Sequence, residues 1–332
     1  MIPIRRMTKR SRLLCAITTL GILAAFAGFV QAQPSASRAK AVKVTVLSTM
    51  LADTDGIGEW GFAALVEVDG YRVLFDTGAR RETVLHNAEE LKIDLAQVAD
   101  VVLSHHHGDH TGGLMALRQS LRSKNPNALS RAHVAQGIFE PRRYEGDAKG
   151  NPMPALRDEY EATGAKVLEH TKAEMLAPGV WLTGPIARRY PERNWPKGAS
   201  IVTAGRAVED NIPEDMSLVV HAEEGLVVVT GCGHAGIGNI LAQAREMAPG
   251  VPVRAVVGGL HLLDADEKSL AWTAKQMRKA GVAYLLGAHC TGIEAVYRLR
   301  ALLGLDRRTA VVGAVGSSYS SVTGIDPRWL AH

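Results

Sequence analysis

The 332-residue chain predicts an α/β fold with a metal centre at its strand ends, on three observations. Apolar runs with the two-residue period of strands alternate with runs at helical spacing. Four of the strand-like runs end in glycine turns that carry a histidine or a cluster of them. One such turn, Ser104 to Gly113, places His105, His106, His107, Asp109 and His110 in six consecutive positions directly after Val101-Val102-Leu103.

Composition bounds the answer first. With 46% hydrophobic and 22% charged residues the chain has ordinary globular usage, enough for one large domain or two small ones. The first 32 residues stand apart: Arg5, Arg6, Lys9, Arg10 and Arg12 precede an uncharged apolar run from Leu13 to Val30, and Gln31-Ala32 follows. That is the order of a secretory signal cleaved after Ala32, with 33–40 as a linker and a periplasmic or secreted product. An uncleaved anchor is the alternative, since 18 apolar residues could just span a bilayer. Arg5-Arg6 leaves both the general and the twin-arginine export routes open. Removing the segment lowers Lys plus Arg from 38 to 33 against 34 Asp plus Glu, so the net +4 becomes −1. The mature chain therefore offers no basic stripe for nucleic acid, and after cleavage no stable membrane insertion is expected. Nothing here bears on oligomeric state.

The elements follow in order. Val42, Val44 and Val46 alternate as a strand, and Ala63 to Val68 and Tyr71 to Phe75 form a hairpin across Asp69-Gly70. Asp76-Thr77-Gly78 ends that hairpin, and Glu82 to Leu91 reads as a helix. A short strand at Val101 to Leu103 feeds the histidine loop, after which Leu114, Leu117 and Leu121 mark a helix. From 123 to 215, frequent prolines and clustered arginines read as an irregular insertion, with a helix at Leu156 to Thr163 and short strands near Val180 to Leu182 and Ile201-Val202. Long loops of that kind either cover a substrate or are tolerated excursions. Regularity returns with strands at Ser217 to His221 and Leu226 to Thr230, and a helix follows that bears Ile237, Ile240, Leu241 and Ala244. Then come a strand at Val253 to Val257, a helix from about Asp266 to Ala280 with Asp264 and Glu267 at capping-box spacing, and a strand at Tyr284 to Leu286. A helix to about Leu303 and a last strand, Ala310 to Val315, complete the single domain of 41–332.

His105 and His107, two apart on an extended strand exit, point the same way, while Asp109 and His110 fall on the next bend. One pair can hold one cation and the second pair another. Imidazole and carboxylate suit Zn2+ best, with Fe or Mn as alternatives, and one or two ions per chain are expected. Remote ligands are sought among the strand-end histidines: His234 for the first ion, His289 for the second, and His261 as a group near the ions or touching substrate. His86, His133, His170 and His221 lack such turns and read as ordinary residues. Cys232 and Cys290 each lie near a histidine in a glycine turn and read as site-lining thiols rather than as a disulfide. Glu59, between Gly58 and Gly61, reads as solvated.

The His105-x-His107-x-Asp109-His110 motif resembles the signature of metallo-β-lactamase-fold hydrolases. Glu59 to Phe62, Leu74 to Gly78, Leu103 to Leu114, Thr230 to Ile237, Gly258 to Leu262 and His289 to Gly292 are similar to a subgroup named after a dihydropterin ribofuranosyl-aminobenzene phosphate synthase. The resemblance implies an αββα sandwich of two mixed β-sheets with helices on the outer faces and a metal site at one edge. It also implies that Asp76 orients a ligand histidine, where the residues alone allow equally an Asp capping its own turn. The superfamily's bridging aspartate is replaced here by Cys232, and its upstream histidine by the Glu214-Asp215 neighbourhood. His234 fills the upstream role, with Asp215 as the fallback.

The implied activity is that of an exported metal-dependent hydrolase, using a metal-activated water on an ester, lactone, amide or phosphoester of a small-molecule substrate. In that scheme Asp109 both ligates and accepts the water's proton, and His261 or Arg142-Arg143 stabilises the developing anion. A periplasmic metal- or ligand-binding protein with little turnover is the alternative, and a true β-lactamase the third reading.

Overall fold

A computed structural model of the protein describes residues 38–145, 150–203 and 205–330. The signal-like stretch 1–32 and linker residues 33–37 lie outside the described residues. Among the described residues no helix is long and apolar enough to cross a membrane.

The strands are β1 (Val42–Ser48), β2 (Ala63–Val68), β3 (Tyr71–Phe75), β4 (Asp100–Val102), β5 (Arg131–Ala135), β6 (Arg142–Tyr144), β7 (Lys166–His170), β8 (Glu174–Ala177), β9 (Val180–Leu182), β10 (Ala199–Thr203), β11 (Arg206–Glu209), β12 (Leu218–Ala222), β13 (Gly225–Thr230), β14 (Val253–Gly258), β15 (Tyr284–Gly287), β16 (Ala310–Val312), β17 (Ser318–Ser320) and β18 (Gly324–Asp326). The helices are α1 (Thr83–Glu90), α2 (Gly108–Thr111), α3 (Leu114–Arg122), α4 (Met153–Glu161), α5 (Ile237–Met247), α6 (Glu267–Ala280) and α7 (Ile293–Leu303).

Two large mixed sheets result, ordered β18-β17-β1-β2-β3-β4-β5-β7 and β16-β15-β14-β13-β12-β9-β8. Side-chain alternation decides how they stack. Ala64 and Val66 of β2 join Val227 and Val229 of β13 in one apolar layer between the sheets. The intervening Ala63 and Leu65 pack instead with Val84 of α1, Leu117 of α3 and Tyr160 of α4. On the far side Leu226 and Val228 meet Ile240 of α5, Met277 of α6 and Leu299 of α7. Helix, sheet, sheet and helix layers follow, which is the αββα sandwich, and each fully buried Leu or Val in it contributes about 1.5–3 kcal/mol.

The Asp69-Gly70 turn closes the β2–β3 hairpin with both residues at positive φ, 48° and 91°, as the mirror-image turn of a hairpin requires. Helix α6 is capped by Asp266, whose Oδ1 accepts from Ser269 N–H at 2.8 Å, two residues beyond the expected Asp264. The segment 123–215 departs from the irregular insertion expected of it. β5 and β7 extend the first sheet in parallel pairing, and β8 and β9 extend the second. β7 and β8 are largely exposed, so their apolar alternation is muted, and β5 carries the polar Arg131 and His133. Only β6, β10 and β11 form a separate three-stranded sheet. At the C-terminus the last predicted strand stops at Val312, and β17 and β18 turn back onto the edge of the first sheet.

Candidate metal centre

The parallel strands of both sheets deliver their C-terminal turns to one place. β3 ends in Asp76, β4 in the 104–110 loop, β13 in Cys232 and His234, β14 in His261, and β15 in His289 and Cys290. Parallel pairing sets Phe75 beside Val102, so Asp76 follows its own strand next to Ser104.

Asp76 is fully buried at φ 58° and organises the loop. Ser104 donates its backbone N–H to Asp76 Oδ1 and its hydroxyl to Asp76 Oδ2, both at 2.7 Å. With the hydroxyl proton so directed, Ser104 Oγ accepts from His105 Nδ1 at 2.9 Å. That fixes the His105 tautomer and leaves its buried Nε2 as a lone-pair nitrogen with no partner. His110 Nδ1 also donates to Asp76 Oδ2, at 2.7 Å. Gly231 makes this packing possible: a Cβ there would lie 2.1 Å from Ser104 Oγ and 2.6 Å from Asp76 Oδ2. Asp76 therefore reaches two histidine systems and does not cap its own turn.

His234 repeats the logic. Its Nδ1 donates to the Asn194 carbonyl, and its Nε2 is buried without a partner. Burial, reinforced by neighbouring histidines, holds His105, His107 and His234 well below the usual imidazole range, so they are neutral, the form that binds cations. At His110 burial works against protonation, but Asp76 and Asp109 outweigh it and push the pKa up to about 9, so a cation held there would have to displace the ring proton.

Three sets of ligand atoms each lie within 4.8 Å of one another: His105, Cys232 and His234; His110, Cys232 and His289; Cys232, His261 and Cys290. His289 Nδ1 is buried without a hydrogen-bond partner, and Asp109 Oδ2 stands 3.3 Å from His289 Nε2. His107 belongs to none of the three sets, but its ring centroid is 4.6 Å from that of His105 and 5.0 Å from that of His234. The donors fit a borderline or soft cation: they are imidazole nitrogen and thiol sulfur, desolvated, with several lone pairs unclaimed by protein. Cys232 is common to all three sets.

Several expectations change. Arg142 cannot meet a substrate anion: its side chain is buried against Asp210 (2.8 Å) and Glu214 (2.5 Å). Its neighbour Arg143 is exposed on β6. Asp215, the fallback ligand, accepts from Ala235 N–H at 2.8 Å, joins none of the three sets, and is pushed by burial up to about 7. Glu59 is not solvated. Its carboxylate accepts from Ser48 Oγ, Ala79 N, Arg80 N and Thr83 Oγ1 at 2.7–2.9 Å and so shapes the turn after β3. His106 points away from the ligands, as its place between His105 and His107 leads one to expect. Its Nδ1 meets Glu214 Oε1 at 2.6 Å and its Nε2 meets Tyr144 Oη at 2.7 Å. Cys232 and Cys290 are free thiols with sulfurs 3.3 Å apart.

A 7,8-dihydropterin-6-methyl-4-(β-D-ribofuranosyl)-aminobenzene-5'-phosphate synthase from Methanocaldococcus jannaschii is 31% identical over 245 residues, 71% of this chain and 82% of that protein. The metallo-β-lactamase superfamily model matches residues 61–189. The chain belongs to the metallo-β-lactamase superfamily. A solved metal-dependent hydrolase of the β-lactamase superfamily aligns with TM-score 0.64 at 28% identity, over 79% of this chain and 93% of that one. Zn2+-bound PqqB from Methylobacterium extorquens aligns with TM-score 0.51 at 13% identity, over 83% and 99%, a likeness of fold. Membership of this metallo-β-lactamase superfamily implies metal binding, and the histidine–cysteine sets are where this chain could bind it.

Glu59, Ser104, Glu214 and Tyr144 support the site but were not read as doing so. Ser104 adjoins the histidine run, the one local signal available. The other three act across 20 or more residues, which no local pattern records.

Proposed function

We propose that the chain is a metal-dependent hydrolase acting on a small molecule that carries an ester, lactone, amide or phosphoester. The observation that carries this is the convergence of buried imidazole nitrogens of His105, His234 and His289 on the shared Cys232 sulfur, those of His105 and His234 without a protein partner. His105, His107 and His234 would hold one Zn2+, and His110, His289 and Asp109 a second, with the Cys232 sulfur within reach of both sets. A bound cation supplies Lewis acidity there, polarising a carbonyl or phosphoryl oxygen and acidifying water.

The chain's own residues set the rest. Asp109, its side chain 21% exposed, is the carboxylate placed to accept a proton or hydrogen bond from an incoming water. Asp76 and Ser104 keep His105 and His110 oriented. His261 and Cys290 line a cavity of about 930 Å3 walled also by Trp60, Trp195 and Trp272, and His107 lines a second of about 490 Å3 with Tyr144 and Lys197. Substrate would enter through these cavities, with His261 facing its leaving or carbonyl oxygen.

The test is a panel of ester, lactone, amide and phosphodiester substrates with metal-loaded protein. Activity that falls at least ~100-fold in Asp109→Ala and His107→Ala supports the reading; parental activity and metal content in both would sink it. A second reading, synthesis with an acceptor other than water, is favoured by the name of the 31% identical relative. Turnover only when an amine or aromatic acceptor is added would establish it. Export by residues 1–32 is likewise proposed, and an N-terminus at 33 on protein recovered outside the cytoplasm would bear it out.

A further inference from the structure

Cys290 and His261 are left over when the histidine sets are assigned. We propose that Cys232, Cys290 and His261 form a further, thiolate-rich site, sharing Cys232 with the histidine sets, for a soft d10 cation such as Zn2+, Cu+ or Cd2+. β13, β14 and β15 are adjacent parallel strands, and each supplies one ligand from its C-terminal turn: Cys232, His261 and Cys290. The three ligand atoms lie within 4.8 Å of one another, and the two sulfurs are 3.3 Å apart. Tetrahedral coordination with metal–sulfur bonds of about 2.3 Å needs sulfurs about 3.8 Å apart, so a small opening of the pair admits an ion.

The surroundings agree. His261 sits at φ 49°, a strained conformation for a non-glycine residue, with a buried Nδ1 that has no partner. A Cβ on Gly259 would lie 2.9 Å from Cys290 Sγ, so glycine lets the three turns close on one another. The cavity of about 930 Å3 opens onto His261 and Cys290, leaving a fourth coordination position for water or substrate. Two thiolates select thiophilic ions over hard ones. Because Cys232 also belongs to both histidine sets, filling this site competes with its use there.

The experiment is a Cd2+ and Co2+ titration of the reduced full chain, followed by thiolate-to-metal charge-transfer absorbance and by the number of thiols protected from alkylation. The site predicts two protected thiols per bound ion. In Cys290→Ser the charge-transfer intensity per ion should fall by about half and affinity by ~10-fold or more. His261→Gln should weaken Cd2+ binding while both thiols stay in place and reduced, which keeps the test valid if Cys290→Ser fails to fold. Protection of Cys232 alone, or an unchanged band in Cys290→Ser, overturns the proposal, as does a Cys232–Cys290 disulfide that persists under reduction. No hydrolysis of any panel substrate by the metal-loaded parent, with thiol-dependent Cd2+ binding intact, would count against the hydrolase reading and leave this site standing.

Discussion

Asp76 spends two oxygens on three hydrogen bonds, from Ser104 N, Ser104 Oγ and His110 Nδ1. Replacing it by Asn removes the acceptor that fixes His110 and, through Ser104, His105. Asp76→Asn should therefore bind zinc some 10- to 100-fold more weakly, read by competition with a chelator. Equal affinity would mean that the histidines orient themselves. Glu59 makes the same point for stability. Glu59→Ala leaves the N–H groups of Ala79 and Arg80 unpaired in a part-buried turn, and a loss of about 1–3 kcal/mol is expected in urea unfolding. The histidine–aspartate cluster was legible because His105, His107, Asp109 and His110 are sequence neighbours. Glu59 was not, because a carboxylate between two glycines looks solvent-facing until the turn it organises is folded around it.

At the scale of elements, β5, a strand the pattern did not reveal, is pinned to β4 by dense polar pairing. β4 and β5 are joined at Asp100, whose buried carboxylate accepts from Arg131 Nε and Nη2, His133 Nε2 and Tyr71 Oη at 2.6–2.9 Å. Burial alone would raise its pKa, but the hydrogen bonds from His133 and Arg131 outweigh it and hold the carboxyl below the usual range. A depressed folded pKa contributes stability above the unfolded value of about 3.9, and that contribution is lost as the pH falls below it. The stability gap between the parent and Asp100→Asn should thus be widest near neutrality, about 3–5 kcal/mol, and narrow below about pH 4 in denaturant titrations. The three-stranded sheet is tied to the histidine loop by a second buried chain, Asp210–Arg142–Glu214–His106–Tyr144. Glu214→Ala leaves Arg142 short of one carboxylate and His106 without its acceptor, so a cost on the order of 3 kcal/mol and a weaker metal site are expected together. His133 and Arg142 could not be placed from the sequence, since the register that seats them beside Asp100 and Glu214 is set only by pairing between strands.

The whole molecule is a sandwich whose apolar alternation could be read directly: odd and even positions of β2 and β13 go to different layers, and the period shows it. What alternation does not encode is which strand lies beside which. Asp76, Ser104, Cys232, His261 and His289 are drawn from positions 76 to 289 and meet because their strands run parallel and stop at the same edge. Sequence could name the strand-end histidines, whereas their grouping around one cysteine sulfur needed the fold. The account rests on that grouping, and elemental analysis of the purified chain beside Cys232→Ala and His234→Ala tests it most directly. The account predicts one or two zinc equivalents in the parent and a clear loss in both variants, with secondary structure unchanged. Metal content equal to the parent's in both variants would contradict it.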